Sequence, residues 1–239
     1  MKKFNIDSTA PIPIVTDTHF GSKNFHKAIF NQALHFFEEQ FFPWCLKNGV
    51  KDVIHTGDLV HNRNLMDLWM NQEIKQRFFQ WFDDNGVNLH IIVGNHDIYY
   101  KSTIEYNYLA ENANEFKNVE IYQEQKKVQI GKYQILMVPW VISNKDFKFK
   151  STADICCGHF DMVGIKMTAQ MYSQEGFKVE DFEKFKKVFS GHYHIRSQKK
   201  NVHYTGCPYP ITWNDYGEDK GYYVLEYHHC SITFSDASL

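Results

Sequence analysis

Cysteine is scarce and odd in number: Cys45, Cys156, Cys157, Cys207 and Cys230 are five in 239 residues. The adjacent pair Cys156-Cys157 cannot readily bond to itself in a strand, and five is no disulfide framework. A disulfide-stapled secreted domain is thereby excluded, and a reducing, cytoplasmic compartment is expected. Long apolar runs are missing too; none approaches the ~20 residues of a membrane helix. Asn5, Asp7, Ser8 and Thr9 interrupt the stretch after Lys2 and Lys3, so it does not read as a signal peptide. Charge of one sign is also absent, the formal net charge being −2. Nothing global advertises nucleic acid or an acidic membrane, so any nucleic-acid contact must rest on local patches. There is no repeat, low-complexity tract or linker, which leaves one domain over residues 1–239 as the expectation.

What is present is apolar and aromatic: 43% hydrophobic residues, with 20 Phe and 14 Tyr. A chain of this length can bury roughly 70–75% of its unfolded surface without help from disulfides. Its first half alternates. Residues 12–16, 53–56 and 89–93 read as buried strands, separated by helical patterns over 25–48 and 65–84. Pro43 should kink or restart the last turn of the first helix. Right-handed crossovers make those three strands parallel. A further helix is expected at about 103–114. Beyond Val119 short strands dominate, at 119–122, 128–130, 134–138, 155–157, 188–190, 202–205, 222–227 and 232–234, with weak helical patterning near 180–187. The implied architecture is α/β: two mixed sheets packed face to face with helices outside, a four-layer α/β/β/α sandwich.

Five short runs carry the chemistry: Asp17-Thr18-His19, Gly57-Asp58, Gly94-Asn95-His96-Asp97, Gly158-His159 and Gly191-His192-Tyr193-His194. Each lies where an apolar, β-branched run gives way to a Gly-rich turn, hence on a loop at a strand end. Singly they are weak, since turns favour Gly and Asp. An imidazole between an amide and a carboxylate, as in Gly94-Asn95-His96-Asp97, is not something a plain turn requires. Two carboxylates, one amide and several imidazoles make a mixed N/O donor set without thiolate, suited to Mn, Fe or Zn rather than to a structural zinc site.

This ordered set resembles that of the calcineurin-like metallophosphoesterases. Gly57-Asp58-Leu59-Val60-His61 and Gly191-His192-Tyr193-His194, with Tyr204-Thr205-Gly206-Cys207-Pro208 downstream, are similar to SbcD-type nuclease subunits and to the recombination nucleases of large bacteriophages. The resemblance implies two divalent ions, Mn²⁺ first. Asp17, His19, Asp58 and His194 would hold one, and Asp58, Asn95, His159 and His192 the other, with Asp58 bridging. It further implies that His96 faces the phosphate as a catalytic acid, that Asp97 orients it, and that His61 contacts the phosphate. The activity implied is phosphodiester hydrolysis on DNA, an exo- or endonuclease of recombination and repair, in the host cytoplasm if phage-encoded. A phosphomonoesterase or a nucleotide or cyclic-nucleotide phosphodiesterase is the alternative, because the same cage serves them all. Non-catalytic scaffolds of this superfamily lose ligands or the phosphate-facing His, whereas all are present here.

Partners follow from the same reading. Asn62, Arg63 and Arg196 are candidate DNA contacts. The basic stretches at 126–127, 145–150, 184–187 and 199–200 are interleaved with acids and read mainly as solvated faces. Tyr209, Trp213 and Tyr216, and likewise Tyr99 and Tyr100, either stack on unpaired bases or pack. An SbcC-type ATPase is an implied partner, as is a homodimer through residues 25–48 and 65–84, where Leu65, Met66, Leu68, Trp69 and Met70 exceed a single apolar stripe.

Overall fold

The computed structural model describes residues 9–167, 171–212, 215, 217–226 and 230–234, the last five by backbone alone. Strands β1 (Ile12–Val15), β2 (Asp52–His55), β3 (Asn88–Ile92) and β4 (Val119–Tyr122) are parallel neighbours. The next six form a second sheet: β5 (Lys126–Ile130), β6 (Tyr133–Val138), β7 (Ile155–His159), β8 (Lys187–Gly191), β9 (Ser197–Lys199) and β10 (Val202–Tyr204). The chain then returns to the first sheet through β11 (Gly221–Leu225) and β12 (Cys230–Phe234). The orders are β12-β11-β1-β2-β3-β4 and β5-β6-β7-β8-β10-β9. Each sheet is parallel at its centre and antiparallel at an edge, so both are mixed, as expected.

Alternation along the strands builds three apolar layers. Val15, Val53, Leu89 and Val224 face the helices, while Ile14, Ile54, Ile92, Met137, Cys157 and Phe189 fill the space between the sheets. Cys156 and Val188 point to the far side of the second sheet. The neighbours Cys156 and Cys157 thus face opposite layers, and both are free and buried, as are Cys45 and Cys207.

Two long helices cover the first sheet. One runs through Lys27–His35, a wider π-helical turn at Phe36–Phe41, and Phe42–Lys47. The other runs through Leu68–Glu73, a π-helical turn at Ile74–Phe79, and Gln80–Asn85. Pro43 sits at the start of the last segment of the first helix, where its missing N–H costs least. Phe42 stacks on Trp81 at 4.0 Å, and the Arg77 guanidinium grips Glu38 with two bonds of 2.7 and 2.6 Å.

Elsewhere the helical expectations shrink. The 103–114 pattern yields only Tyr108–Asn112, because Asn107 takes the N-cap and accepts from Ala110 N at 2.9 Å. The 180–187 pattern yields one 3₁₀ turn, Val179–Phe182. The outer face of the second sheet is therefore covered largely by loops, which insert Phe147, Phe149, Phe177, Phe182 and Phe185 as edge-to-face rings.

Candidate metal centre

Parallel strands put their C-terminal ends on one edge, and five of those ends converge. Asp17 and His19 follow β1, Asp58 follows β2, Asn95 follows β3, His159 ends β7, and His192 and His194 follow β8. The first two loops run side by side: Asp17 N donates to Gly57 O at 3.1 Å, His19 N to Asp58 O at 3.1 Å, and Phe20 N to Leu59 O at 2.9 Å. Four site residues that are not glycine adopt left-handed backbone, Asp17 (φ 50), His19 (φ 48), Asp58 (φ 58) and His192 (φ 95). Such strain costs on the order of 1–3 kcal/mol each and persists only where the surroundings over-determine it. Gly94 shows how tightly the loops meet. A Cβ there would lie 2.2 Å from Asp58 Oδ1 and 2.3 Å from its backbone nitrogen.

The carboxylates lie deep and several of the imidazoles form the mouth: Asp17 and Asp58 are buried, whereas Asn95, His96, His61, His192 and His194 are half-buried. His19 Nε2 stands 2.9 Å from His194 Nε2, 3.8 Å from Asp17 Oδ1 and 3.7 Å from Asp58 Oδ2. On the other side, His159 Nε2 is 3.3 Å from the same Asp58 oxygen and 3.0 Å from Asn95 Oδ1, which in turn is 2.9 Å from His192 Nδ1. His159 Nδ1 donates to Thr56 O at 2.8 Å, which orients Nε2 toward that cluster. His192 is tied by its backbone N–H to both Asp17 carboxylate oxygens, at 3.2 and 3.1 Å.

The protonation states of His19, His192 and Asp58 suit a cation. Burial holds His19 well below the usual histidine range and His192 at about 3, so both present lone pairs at neutral pH. Burial alone would raise Asp58, but the neighbouring imidazoles, His159 foremost, bring it well below the carboxylate range. Burial would lower His159, yet Asp58 lifts it to about 9, so cation binding there releases a proton. Burial keeps Asp17 raised in spite of His159 and His194. Carboxylate, amide oxygen and imidazole within reach of one another are a donor set that fits divalent ions.

His96 and its expected helper part company. His96 Nδ1 donates to the His61 carbonyl at 2.6 Å, its ring stacks on His61 at 5.4 Å, and its backbone N–H reaches Asp58 Oδ1 at 2.7 Å. Asp97 does not orient it. The Asp97 carboxylate is buried and accepts from the backbone of Gly94 (2.8 Å), Asp58 (2.9 Å) and Val60 (3.2 Å), bracing one loop against the other. Arg196 also departs from expectation. Its Nε donates to Thr205 O at 3.3 Å, its guanidinium lies over the Tyr223 ring at 5.7 Å, and its terminal nitrogens are shielded from solvent. It packs inward rather than toward a DNA backbone.

Tyr209 is a packing residue, donating to Thr18 O at 2.6 Å and lying against Phe36. Trp213 and Tyr216 lie outside the described residues. Several of the lysines are engaged: Lys126 with Glu120, Lys186 with Asp154, and Lys200 with Glu180 and Glu183. Two supports escaped sequence reasoning. Trp140, just past the tip of β6, tilts onto His192 at 5.1 Å, and the strand-tip pattern marks it as readily as the five motifs. Behind His194, buried Lys220 donates to its carbonyl at 3.1 Å and pairs with Asp215 at 3.0 Å. Lys220 Nζ also lies 3.2 Å from Cys207 Sγ, so an ammonium already serves that His194–Cys207–Asp215 group. Two charges in a loop carry no sequence signal of burial.

Fold and site together define a metal-dependent phosphoesterase, and the chain belongs to the calcineurin-like phosphoesterases, whose family model matches residues 10–236. Exonuclease subunit 1 of Enterobacteria phage T4 is 29% identical over 193 residues, 79% of this chain and 56% of that protein. The chain thus spans little more than half the length of that relative. Among solved structures, the Pseudomonas putida nuclease MPE aligns at 14% identity and a TM-score of 0.37 over 80% of this chain and 66% of its own. The Aquifex aeolicus protein AQ665, of unknown function, aligns at 18% identity and a TM-score of 0.32 over 63% and 78%. Family and donor clusters together imply divalent metal ions. No helix among the described residues is long and apolar enough to cross a membrane.

Proposed function

We propose that the chain is a two-metal phosphodiesterase that cleaves DNA, a nuclease of the recombination and repair kind. The observation that carries this reading is the Asp58 carboxylate, one oxygen of which lies 3.7 Å from His19 and 3.3 Å from His159, between two donor groups. The 29% identity to a protein named as an exonuclease subunit supports DNA as substrate. In this reading Asp17, His19, Asp58 and His194 hold one ion and Asp58, Asn95, His159 and His192 the other, the whole of 1–239 acting as one catalytic unit. When bound, the ions supply an activated water and neutralise phosphodiester oxygens. His96, its Nδ1–H engaged by the His61 carbonyl, would as the imidazolium give its Nε2 proton to the leaving oxygen and be left as the neutral Nδ1–H tautomer, a contribution of about 10²–10⁴ in rate. Asn95 and the neighbouring imidazoles, His61 among them, stabilise charge on the phosphate.

Mn²⁺ is the proposed metal, since imidazole-rich cages suit borderline cations while Mg²⁺ prefers oxygen and retained water. Arg63 and Asn62, next to His61, are the proposed DNA contacts. An SbcC-type ATPase remains a proposed partner, in keeping with a relative named as a subunit. A homodimer through the long helices is proposed on the exposure of Leu68 (86%), at the start of the second helix; Leu65, expected on that helix, precedes it. Trp69, by contrast, is half covered by Phe30 and by Lys27 Nζ at 4.6 Å. A reducing cytoplasm suits the free thiols.

The test is cleavage of end-labelled linear and circular DNA in Mn²⁺ and in Mg²⁺, beside hydrolysis of a nitrophenyl phosphate monoester. Faster DNA cleavage in Mn²⁺ is expected. Monoester hydrolysis without DNA cleavage would assign the site to a phosphomonoesterase or a nucleotide phosphodiesterase instead.

A further inference from the structure

A groove of about 580 Å³ opens beside the metal centre and belongs to none of the motifs. It begins at Asn62 and Arg63, directly after His61, and runs along Tyr99, Tyr100 and Tyr106. The three phenol rings form an edge-to-face series, with centroids 4.7 Å apart from Tyr99 to Tyr100 and 6.0 Å from Tyr100 to Tyr106. All three are about half exposed, at 47, 51 and 54%. Their scaffold is held in place: Tyr99 N donates to Tyr106 O at 2.8 Å, and Ile98 bridges Asn107. Below them Tyr108 Oη donates to Asn71 at 2.7 Å, and Asn71 to Asn112 at 3.1 Å. Half-exposed aromatic faces on a pinned loop are what a soluble protein normally buries or uses.

We infer that this groove is a second, non-catalytic subsite that holds unpaired bases of the DNA strand whose phosphate enters the metal centre. The assignment rests on the nuclease reading above and adds a substrate class, single-stranded or frayed ends. Three features favour bases over an apolar helix from a second copy. Stacking needs only open ring faces and tolerates any base. The lining amides of Asn62 and Asn64 offer hydrogen-bonding groups that base edges can meet and an apolar helix cannot, whereas those of Asn107 and Asn112 are engaged within the fold. Arg63 lies where the strand would pass from His61 into the groove and can take a phosphate. Glu111 also lines the groove, so charge alone does not recruit the strand there.

The experiment measures binding of a nuclease-resistant phosphorothioate oligothymidylate of about 15 nucleotides, within the site sizes of single-strand binders. It is run with Mn²⁺ present, beside a blunt phosphorothioate duplex, for wild type, Tyr100→Ala and Tyr100→Phe. Tyr100→Ala should weaken single-strand binding by about 5- to 100-fold, the loss of one base–aromatic stack, while Tyr100→Phe stays near wild type. Duplex affinity and hydrolysis of bis(p-nitrophenyl) phosphate should be unchanged, which also certifies the fold. Wild-type single-strand affinity in Tyr100→Ala would overturn the groove assignment while leaving the nuclease reading intact. Equal loss in Tyr100→Phe would overturn stacking. If the Ala variant instead loses only self-association, the groove is an interface between copies and the proposal fails. Diester hydrolysis by a wild type that neither binds nor cuts DNA would bring down the nuclease reading itself.

Discussion

Asp97→Asn separates two roles that the motif alone cannot distinguish. As a carboxylate, Asp97 accepts Gly94 N and Asp58 N on one oxygen and Val60 N on the other. An Asn can keep its carbonyl toward the first pair, but its NH₂ then faces the Val60 N–H. Both donors, the Val60 N–H and the new NH₂, then lack an acceptor, at about 1–3 kcal/mol each. Burial first, and the Asp58 charge second, raise Asp97 to about 6, and removing its charge relieves that repulsion. The net destabilisation expected is therefore about 1–3 kcal/mol. Asp97→Ala leaves three such donors, roughly 3–9 kcal/mol, comparable to the whole stability of about 5–15 kcal/mol, and should not fold well. Urea unfolding of the chelated Asn variant measures the loss directly. Its pH–rate profile should keep the wild-type shape, because the His96 ring is held by the His61 carbonyl. Unchanged stability with a shifted acid limb would mean that Asp97 serves His96 after all, and the bracing role would be wrong.

Asp58→Ala should lose most bound metal and all activity, whereas His96→Ala should keep both ions while turnover falls roughly 10²–10⁴-fold; metal analysis beside kinetics checks the contrast. His203 stacks on Phe189 at 5.3 Å and lies edge-on to Tyr223, its Nδ1 shielded and without a hydrogen-bond partner among the described residues. Burial holds it at about 4, below the ~6.5 of an unfolded chain. The unfolded state therefore takes up the proton first, so this contribution to stability is present above pH ~6.5 and is lost as pH falls toward 4. His203→Phe should flatten that acid slope and raise Tm at neutral pH; a lower Tm would show the imidazole to be needed. Leu68→Glu should leave monomer stability within about 0.5 kcal/mol, since the side chain is solvent-facing, and abolish dimerisation. Light scattering that finds the wild type monomeric at every concentration would refute the dimer.

The strands, and the strand tips that carry the proposed metal ligands, were legible in the sequence because both obey local rules. A buried strand is a short β-branched run, and its end is a Gly-rich turn, so Asp17, Asp58, Asn95, His159 and His192 could be placed on strand tips without coordinates. Parallel connectivity then leaves those tips one edge on which to meet. What the local pattern could not supply were partners distant in the chain. Asp97 carries no recognisable signal for the Val60 amide, 37 residues away, and the family resemblance pointed to His96 as its partner instead. Arg196 follows a metal-loop histidine, yet the Tyr223 face and the Thr205 carbonyl draw it inward. Helical patterning near 180–187 gave way to loops because aromatic side chains inserted from several loops satisfy the second sheet without a helix. The tyrosine groove belongs to the same class: Tyr99 and Tyr100 read as ambiguous until the fold set Tyr106 beside them and left all three rings half in solvent. Burial, orientation and choice of partner depend on contacts between distant segments, and those are decided only when both sheets and their loops have come together.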